Sequence, residues 1–354
     1  MIDFGQIAHE LLLKLPPETA HAIGKIGMRC GLFAPGRYKV TNPDGSNRTR
    51  LFDFELDNPF GLAAGFDKNG WLVDKVQEYG FGWDEVGSIT WEGGKGNKKP
   101  RLFRLWDGMS PSKDMGCLLN RMGLNGNPAD IVIERLKRAK NPFAVNIAKT
   151  HNPKIMGDKA IEDMCKTYKL VTDELDYSGK LIYVAINISC PNTSEGKTFE
   201  DDKCLDNLLS ALEECEGVRS RLLKLSPTLT QEKAERIVEV ADDMVDGYIC
   251  GNTKPTDHPK YGKGGVSGWR VRTNTLDLIK IIRALTDKVI IGCGGIETGT
   301  DILEMEGNGA NLFQAFNGFV LGLERGPRFA HRVLNLYHYL KANREKEGVN
   351  QNVY

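Results

Sequence analysis

The chain has 354 residues, enough to bury a large core as one α/β unit with an appendage or as two domains. Hydrophobic residues make up 40% and charged residues 27%, and Lys+Arg and Asp+Glu both total 47, so net charge argues for no nucleic-acid partner. The eight cysteines (30, 117, 165, 190, 204, 215, 250 and 293) form no CxxC pair and fit no zinc or iron–sulfur spacing, which predicts a reducing compartment and no metal site.

Residues 1–33 stand apart. DFGQIAHELLLKL reads as one amphipathic helix and, after the Pro16–Pro17 break, PETAHAIGKIGMRCGLF as a second. Ile7, Leu11 and Leu12 are expected on one face, and Ile23, Ile26 and Phe33 on another. Such a hairpin either caps the main domain or offers an apolar face to a lipid or hydrophobic substrate. Residues 34–50 are turn-rich and read as a linker. There is neither a basic start with a long apolar run behind it nor 18 consecutive apolar residues, so the chain is not expected to span a membrane; lying against one stays open.

From residue 50 short apolar runs recur, each ending in glycine, asparagine or another polar residue. The strand candidates are 60–64, 84–89, 143–148, 182–188, 221–225, 247–251, 289–293 and 311–315. Helical stretches such as ADIVIERLKRA, DNLLSALEECEGVR, TQEKAERIVEVADD and NTLDLIKIIRAL lie between many of them, long enough for parallel crossovers. The pattern predicts an α/β protein, a (β/α)8 TIM barrel over residues 51–342, with a short tail at 343–354. KGNKKPRLFR at 95–104 reads as a solvated loop leading into an extra extended segment, RLFRL, in a hairpin over one barrel mouth.

Barrel chemistry sits at the C-terminal strand ends. Gathered there are Gly65 through Lys68, Ser88, Asn146, Asn187 through Asn192, Lys224, Asn252, Thr253, Gly294, Gly295 and Phe316 through Gly318. Amides, hydroxyls, two lysines and a thiol suit a planar polar ligand beside an anion; no carboxylate pair or histidine cluster is evident. IGCGGIETG and FQAFNGFVLGLERGP, after the seventh and eighth strands, are where barrels often hold a phosphate. His9, His21, His258, His331 and His338 read as surface or structural, Cys250 and Cys293 as core, and His151 is left open. A barrel isomerase or aldolase using Lys68 or Lys224 fits these residues too.

NPFGLAAGFDKNG (58–70), RLFRL, NRMGLN (120–125), NISCPNT (187–193), KLSP, GNTKP (251–255), GGVSGWRVR (264–272) and AFNGFVLGLERGP (315–327) together resemble the dihydroorotate dehydrogenases, over nearly the whole chain. The hairpin and RLFRL resemble the membrane-associated, quinone-using class, in which the two helices form the quinone's tunnel to FMN. The resemblance implies FMN above the barrel with dihydroorotate stacked on it. Ala64, Gly65 and Lys68 would lie along flavin and substrate, with Ser88 on the flavin. Asn120 and the backbone just after it, Arg121, Met122, Gly123 and Leu124, would hold orotate. Asn146 and Asn187 would bridge both ligands, Asn192, Asn252 and Thr253 would grip the substrate, and Gly251 would neighbour the flavin. Lys224 would face the flavin N1–O2 edge, and Gly268, Gly295, Phe316 and Asn317 the phosphate. Cys190 would be the base that takes the C5 proton while a hydride leaves C6. A peripheral site on the cytoplasmic side of the inner membrane is implied for a bacterial chain, and a membrane-associated organellar one otherwise.

Four positions depart from that pattern. Cys190 stands where quinone-using members carry serine and soluble, fumarate- or NAD-linked members carry cysteine. Gly251 replaces a usual threonine, and Phe316–Asn317 replaces tyrosine followed by a hydroxyl residue.

Overall fold

The computed structural model describes residues 3–40, 48–106, 115–189, 198–215 and 220–346. Eight parallel strands close a barrel: β1 (Phe60–Leu62), β2 (Asp84–Ile89), β3 (Phe143–Ile147), β4 (Leu181–Asn187), β5 (Ser220–Leu225), β6 (Gly247–Cys250), β7 (Val289–Cys293) and β8 (Leu312–Ala315). Each pairs with its neighbours in sequence, and β8 returns to β1 through Phe313↔Phe60 and Ala315↔Leu62. All eight strand candidates are present, with ends shifted by one or two residues.

The strands are buried on both faces, so their sequences read as nearly unbroken apolar runs. Period-two alternation still sorts them. Val145, Ile186, Leu223 and Tyr248 pack outward on the helices, while Trp83, Ala144, Tyr183, Leu222 and Ile291 form a separate inner cluster. The same alternation turns Glu85, Asn146, Lys224 and Gln314 into the barrel. Registers Gly87↔Asn146 and Asn187↔Lys224 bring their strand ends together. A short ribbon, Thr49–Leu51 with Phe54–Leu56, adds Leu51 and Leu56 to the inner cluster.

The outer layer contains α3 (Ala129–Leu136), α4 (Asp158–Leu175), α5 (Asp202–Glu213), α6 (Gln231–Ala241), α7 (Arg272–Leu285), α8 (Gly299–Gly307), the short α9 (Asn317–Leu321) and α10 (Phe329–Lys346). Between β1 and β2 a single 3₁₀ turn, Val76–Tyr79, stands in for a helix. The helix α10 crosses the expected boundary at 342, since its apolar positions Val333, Leu334 and Tyr337 pack on the barrel and the turn beyond simply continues.

RLFRL does form a strand, Leu102–Leu105, paired with Cys117–Asn120. That ribbon joins a second one, Lys254–His258 with Gly262–Val266, in a four-stranded antiparallel flap. The N-terminal hairpin consists of α1 (Phe4–Leu12), capped by the Asp3 carboxylate accepting from Gln6 N at 3.0 Å, and α2 (Pro17–Arg29), with proline in its first turn. Polar ties join it to the rest of the chain, Arg101 to Glu18 at 2.8 Å, Arg325 to Glu10 at 3.0 Å, and Arg104 Nη1 donating to Leu13 O and Leu15 O at 2.9 and 2.7 Å, and Met28 joins the main core cluster. Ile7, Leu11 and Leu12 do not share one environment as expected. Ile7 and Leu11 face outward, exposed with Phe4 and Ile26, whereas Leu12 turns inward. The apolar stripe of α1 is turned so that Ala8 and Leu12 on one edge meet the cavity while Phe4, Ile7 and Leu11 point outward.

Candidate active site

A cavity of about 260 Å³ opens at the C-terminal strand ends beneath the flap. It gathers most of the residues anticipated from sequence. Ala64, Gly65 and Lys68 come from the turn after β1, Ser88 from β2, Asn187 and Lys224 from the ends of β4 and β5. Asn252 and Thr253 follow β6, Gly295 follows β7, and Phe316 and Asn317 follow β8. Asn120, Met122, Gly123, Leu124 and Gly268 close it from the flap side, and Cys293, expected in the core, also reaches its wall.

Three anticipated residues lie off the cavity surface. Asn146 is fully buried behind Asn187. Arg121 points away, its Nη1 donating to Tyr261 O and Lys263 O and its guanidinium lying over the Phe103 ring. Gly251 has φ 124°, and a Cβ there would run into the carbonyl of Cys293, so this backbone has no room for threonine. Cys190 and Asn192 lie outside the described residues.

The amides are linked. Asn187 Nδ2 donates to Ser88 Oγ at 3.1 Å and to Asn146 Oδ1 at 3.4 Å, and Asn252 Nδ2 donates to Asn187 Oδ1 at 3.4 Å and to Ser189 Oγ at 2.9 Å. Below them Lys224 Nζ meets Glu85 Oε1 at 2.8 Å, both groups buried. Burial opposes each charge, but the attraction between them outweighs it: the Glu85 carboxyl is held below its ordinary range and the Lys224 ammonium above its own.

A second cavity, about 240 Å³ and mostly apolar, lies between the hairpin and the barrel. Leu12, Ile23, Met28 and Phe33 line it, with His9 and Arg104 as polar members. The two cavities share a wall made by His21, Leu102, Leu118 and Phe316. His21 lies edge-on to Phe66, centroids 4.9 Å apart, and is stacked on Phe316 at 6.3 Å. Burial, then the nearby Lys25 and Lys68, push its pKa down to about 3, so it is neutral. The sequence reading set His21 and His9 aside as surface or structural; both line this second cavity instead, and His9 Nε2 donates to Val320 O at 2.9 Å. A histidine on an amphipathic helix reads as solvent-facing until a second element covers it. His151 lines neither cavity.

Sequence reasoning also missed Glu85, Tyr183 and Gln314, which meet inside the barrel. The available signal was the charged or polar residue within each of the strand candidates DEVGSI, FAVNIA, RLLKL and NLFQA.

The family model for dihydroorotate dehydrogenase matches residues 46–336. This chain belongs to the dihydroorotate dehydrogenase family. It is 34% identical over 342 residues to the dihydroorotate dehydrogenase (quinone) of Natronomonas pharaonis, covering 93% of this chain and 92% of that one. The corresponding protein of Photorhabdus laumondii is 30% identical over 93% of this chain and 98% of its own. The crystal structure of DHODH from Eimeria tenella in complex with ferulenol superposes with a TM-score of 0.80 at 26% identity, over 96% of each chain.

The first cavity has the features an FMN site in this family needs. Gly268 and Gly295 have positive φ, 88° and 81°, and a Cβ on either would press on Asn317 or Arg272, so bare backbone faces the cavity there. Asn125 Oδ1, Thr253 Oγ1 and Asn317 Oδ1 are buried without a partner in its wall. Lys224 supplies a buried cation at its floor. Among the described residues no cluster of His, Cys, Asp or Glu is arranged to hold a metal ion.

Proposed function

We propose that this chain oxidises dihydroorotate to orotate, with FMN as its cofactor and a quinone as the electron acceptor. One observation carries the reading: a polar cavity with a cation and amides shares a wall with an apolar cavity beneath the exposed helices α1 and α2. When bound, FMN accepts the hydride from substrate C6 and passes the electrons on to quinone.

The residues divide the rest of the work. Asn187, Asn192, Asn252 and Thr253, with Asn120 and the backbone of Arg121 through Leu124, grip the substrate's ring amides and carboxylate. Lys68 lies along substrate and flavin. Lys224 places positive charge beside the flavin N1–O2 edge, where it stabilises negative charge. Ala64, Gly65, Ser88, Asn146 and Gly251 support the flavin, and Gly268, Gly295, Phe316 and Asn317 its phosphate. Cys190 Sγ would take the C5 proton; a thiol, with reference pKa about 8.5, reaches its anion far more readily than a hydroxyl.

Quinone enters between α1 and α2 toward His21 and Phe316. Among the described residues no helix is long and apolar enough to cross a membrane. Phe4, Ile7, Leu11 and Ile26 lay the hairpin against a bilayer surface, which makes the enzyme peripheral, on the cytoplasmic side in a bacterial cell.

Cys190 favours a second acceptor class, fumarate or NAD, and one experiment separates the two. Purified protein is reduced anaerobically with dihydroorotate and then offered quinone, fumarate or NAD. Bleaching of a flavin band with recovery by quinone alone is expected. Recovery by fumarate or NAD moves the acceptor to the soluble type, and a flavin that fails to bleach removes the substrate.

A further inference from the structure

We infer that Glu85, outside the cavity wall, is a positioning residue that keeps Lys224 charged and fixes the donor and acceptor ends of Asn146 behind the site. The inference rests on the function proposed above and concerns how this chain presents its groups to flavin and substrate.

Glu85 is fully buried in the barrel. Its Oε1 accepts from Lys224 Nζ and from Asn146 Nδ2, each at 2.8 Å, and its Oε2 from Tyr183 OH at 2.9 Å and Gln314 Nε2 at 2.6 Å. An ionised carboxylate only accepts hydrogen bonds. Asn146 must therefore turn its NH₂ toward Glu85, which leaves its Oδ1 facing Asn187. Asn187 points Nδ2 at Asn146 and Ser88 in agreement with this, while its Oδ1 accepts from Ser189 N at 3.2 Å and Asn252 Oδ1 accepts from Thr253 N at 2.8 Å. Asn187 and Asn252 form the cavity wall. A flipped amide has nearly the same shape, so packing alone does not choose between its two settings. Glu85 chooses for Asn146, whereas backbone N–H groups hold Asn187 and Asn252 in the same sense.

The same carboxylate settles the lysine. Among the described residues Glu85 is the carboxylate within ion-pair reach of Lys224; the other titratable groups facing the pair are Tyr183 on β4 and Cys293 on β7. A buried ammonium whose partner is removed sheds its proton. Without Glu85 the positive charge at the cavity floor would be lost even though Lys224 remained.

The test is Glu85→Gln in the full chain, read by the midpoint potential of bound FMN and by orotate affinity. The potential is expected to fall and to vary with pH as Lys224 titrates, and orotate affinity to change little, because backbone N–H groups keep Asn187 and Asn252 oriented. Glu85→Asp, which keeps the charge, should return the potential toward wild type, a rescue that a purely structural role does not produce. An unchanged or raised potential in Glu85→Gln overturns the inference. If that variant does not fold, the ¹⁵N shift of Lys224 Nζ in the wild-type holoprotein decides: an ammonium signal up to about pH 9 supports the pairing, and a neutral amine at neutral pH overturns it. Wild-type protein that fails to bleach removes the proposed function; wild type that bleaches beside an unaltered Glu85→Gln removes this inference alone.

Discussion

Glu297, two residues past the glycines that follow the seventh strand, packs its carboxyl under α9. Its Oε2 accepts from Leu323 N at 3.2 Å and its Oε1 faces Asn317 Nδ2 at 3.5 Å. Burial, with Asp301 adding to it, pushes its pKa up to about 8 from its ordinary 4.5. Between those values the folded protein holds a proton that the unfolded chain has released. The group's contribution is therefore intact below pH 4.5 and is lost as the pH rises through 8. Glu297→Gln removes that dependence. Its stability relative to wild type, from denaturation at a series of pH values, should improve by up to about 1.4 kcal/mol per pH unit across the window. A difference that stays flat with pH would mean that Glu297 titrates normally. The base residue is tested kinetically: Cys190→Ala should keep FMN and bind orotate, yet slow flavin reduction by about 10²- to 10⁴-fold in stopped-flow traces. Unchanged reduction would remove Cys190 from the mechanism.

The hairpin and the barrel are separate elements, joined by ion pairs and carbonyl partners and by the packing of Met28 and His21. Barrel closure involves no residue of α1 or α2, since all eight strands pair among themselves. Deleting residues 1–33 should therefore spare flavin reduction by dihydroorotate and abolish reoxidation by quinone. Equal loss of both half-reactions would show that the hairpin supports the flavin site as well. The elements were legible in the sequence because each carries its own periodicity: alternating or unbroken apolar runs for strands, three-to-four spacing for α3, α6 and α7. The 3₁₀ turn at Val76–Tyr79 was not, and of the four-stranded flap only the RLFRL strand was. The turn does the work of a helix in four residues, too few for a period, and the flap pairs segments more than 130 residues apart, Asn120 with Gly265.

At the scale of the molecule, stability depends on contacts that close the chain on itself. Phe60 on β1 packs against Phe81 at 5.4 Å and against Phe329 of α10 at 5.8 Å between ring centroids, tying the first barrel strand to the last helix. Phe60→Ala should cost about 3–5 kcal/mol, measured by urea unfolding at fixed FMN concentration so that ligand linkage stays constant. A loss under about 1 kcal/mol would mean that the neighbouring rings collapse into the space.

Local pattern by itself determined the barrel, the hairpin and the residue types at the strand ends, because strand period, helix period and turn chemistry are written over a few neighbouring positions. The family resemblance rested on motifs of the same short range, such as NISCPNT and AFNGFVLGLERGP. Tertiary structure alone decided what those residues face. Glu85, Asn146, Lys224 and Gln314 come from four strands and meet only when the barrel closes, so no local window contains the network that orients the site. His21 becomes a neutral wall between two cavities only when α2 lies over Phe66 and Phe316, because burial and neighbouring charge are properties of the assembled fold.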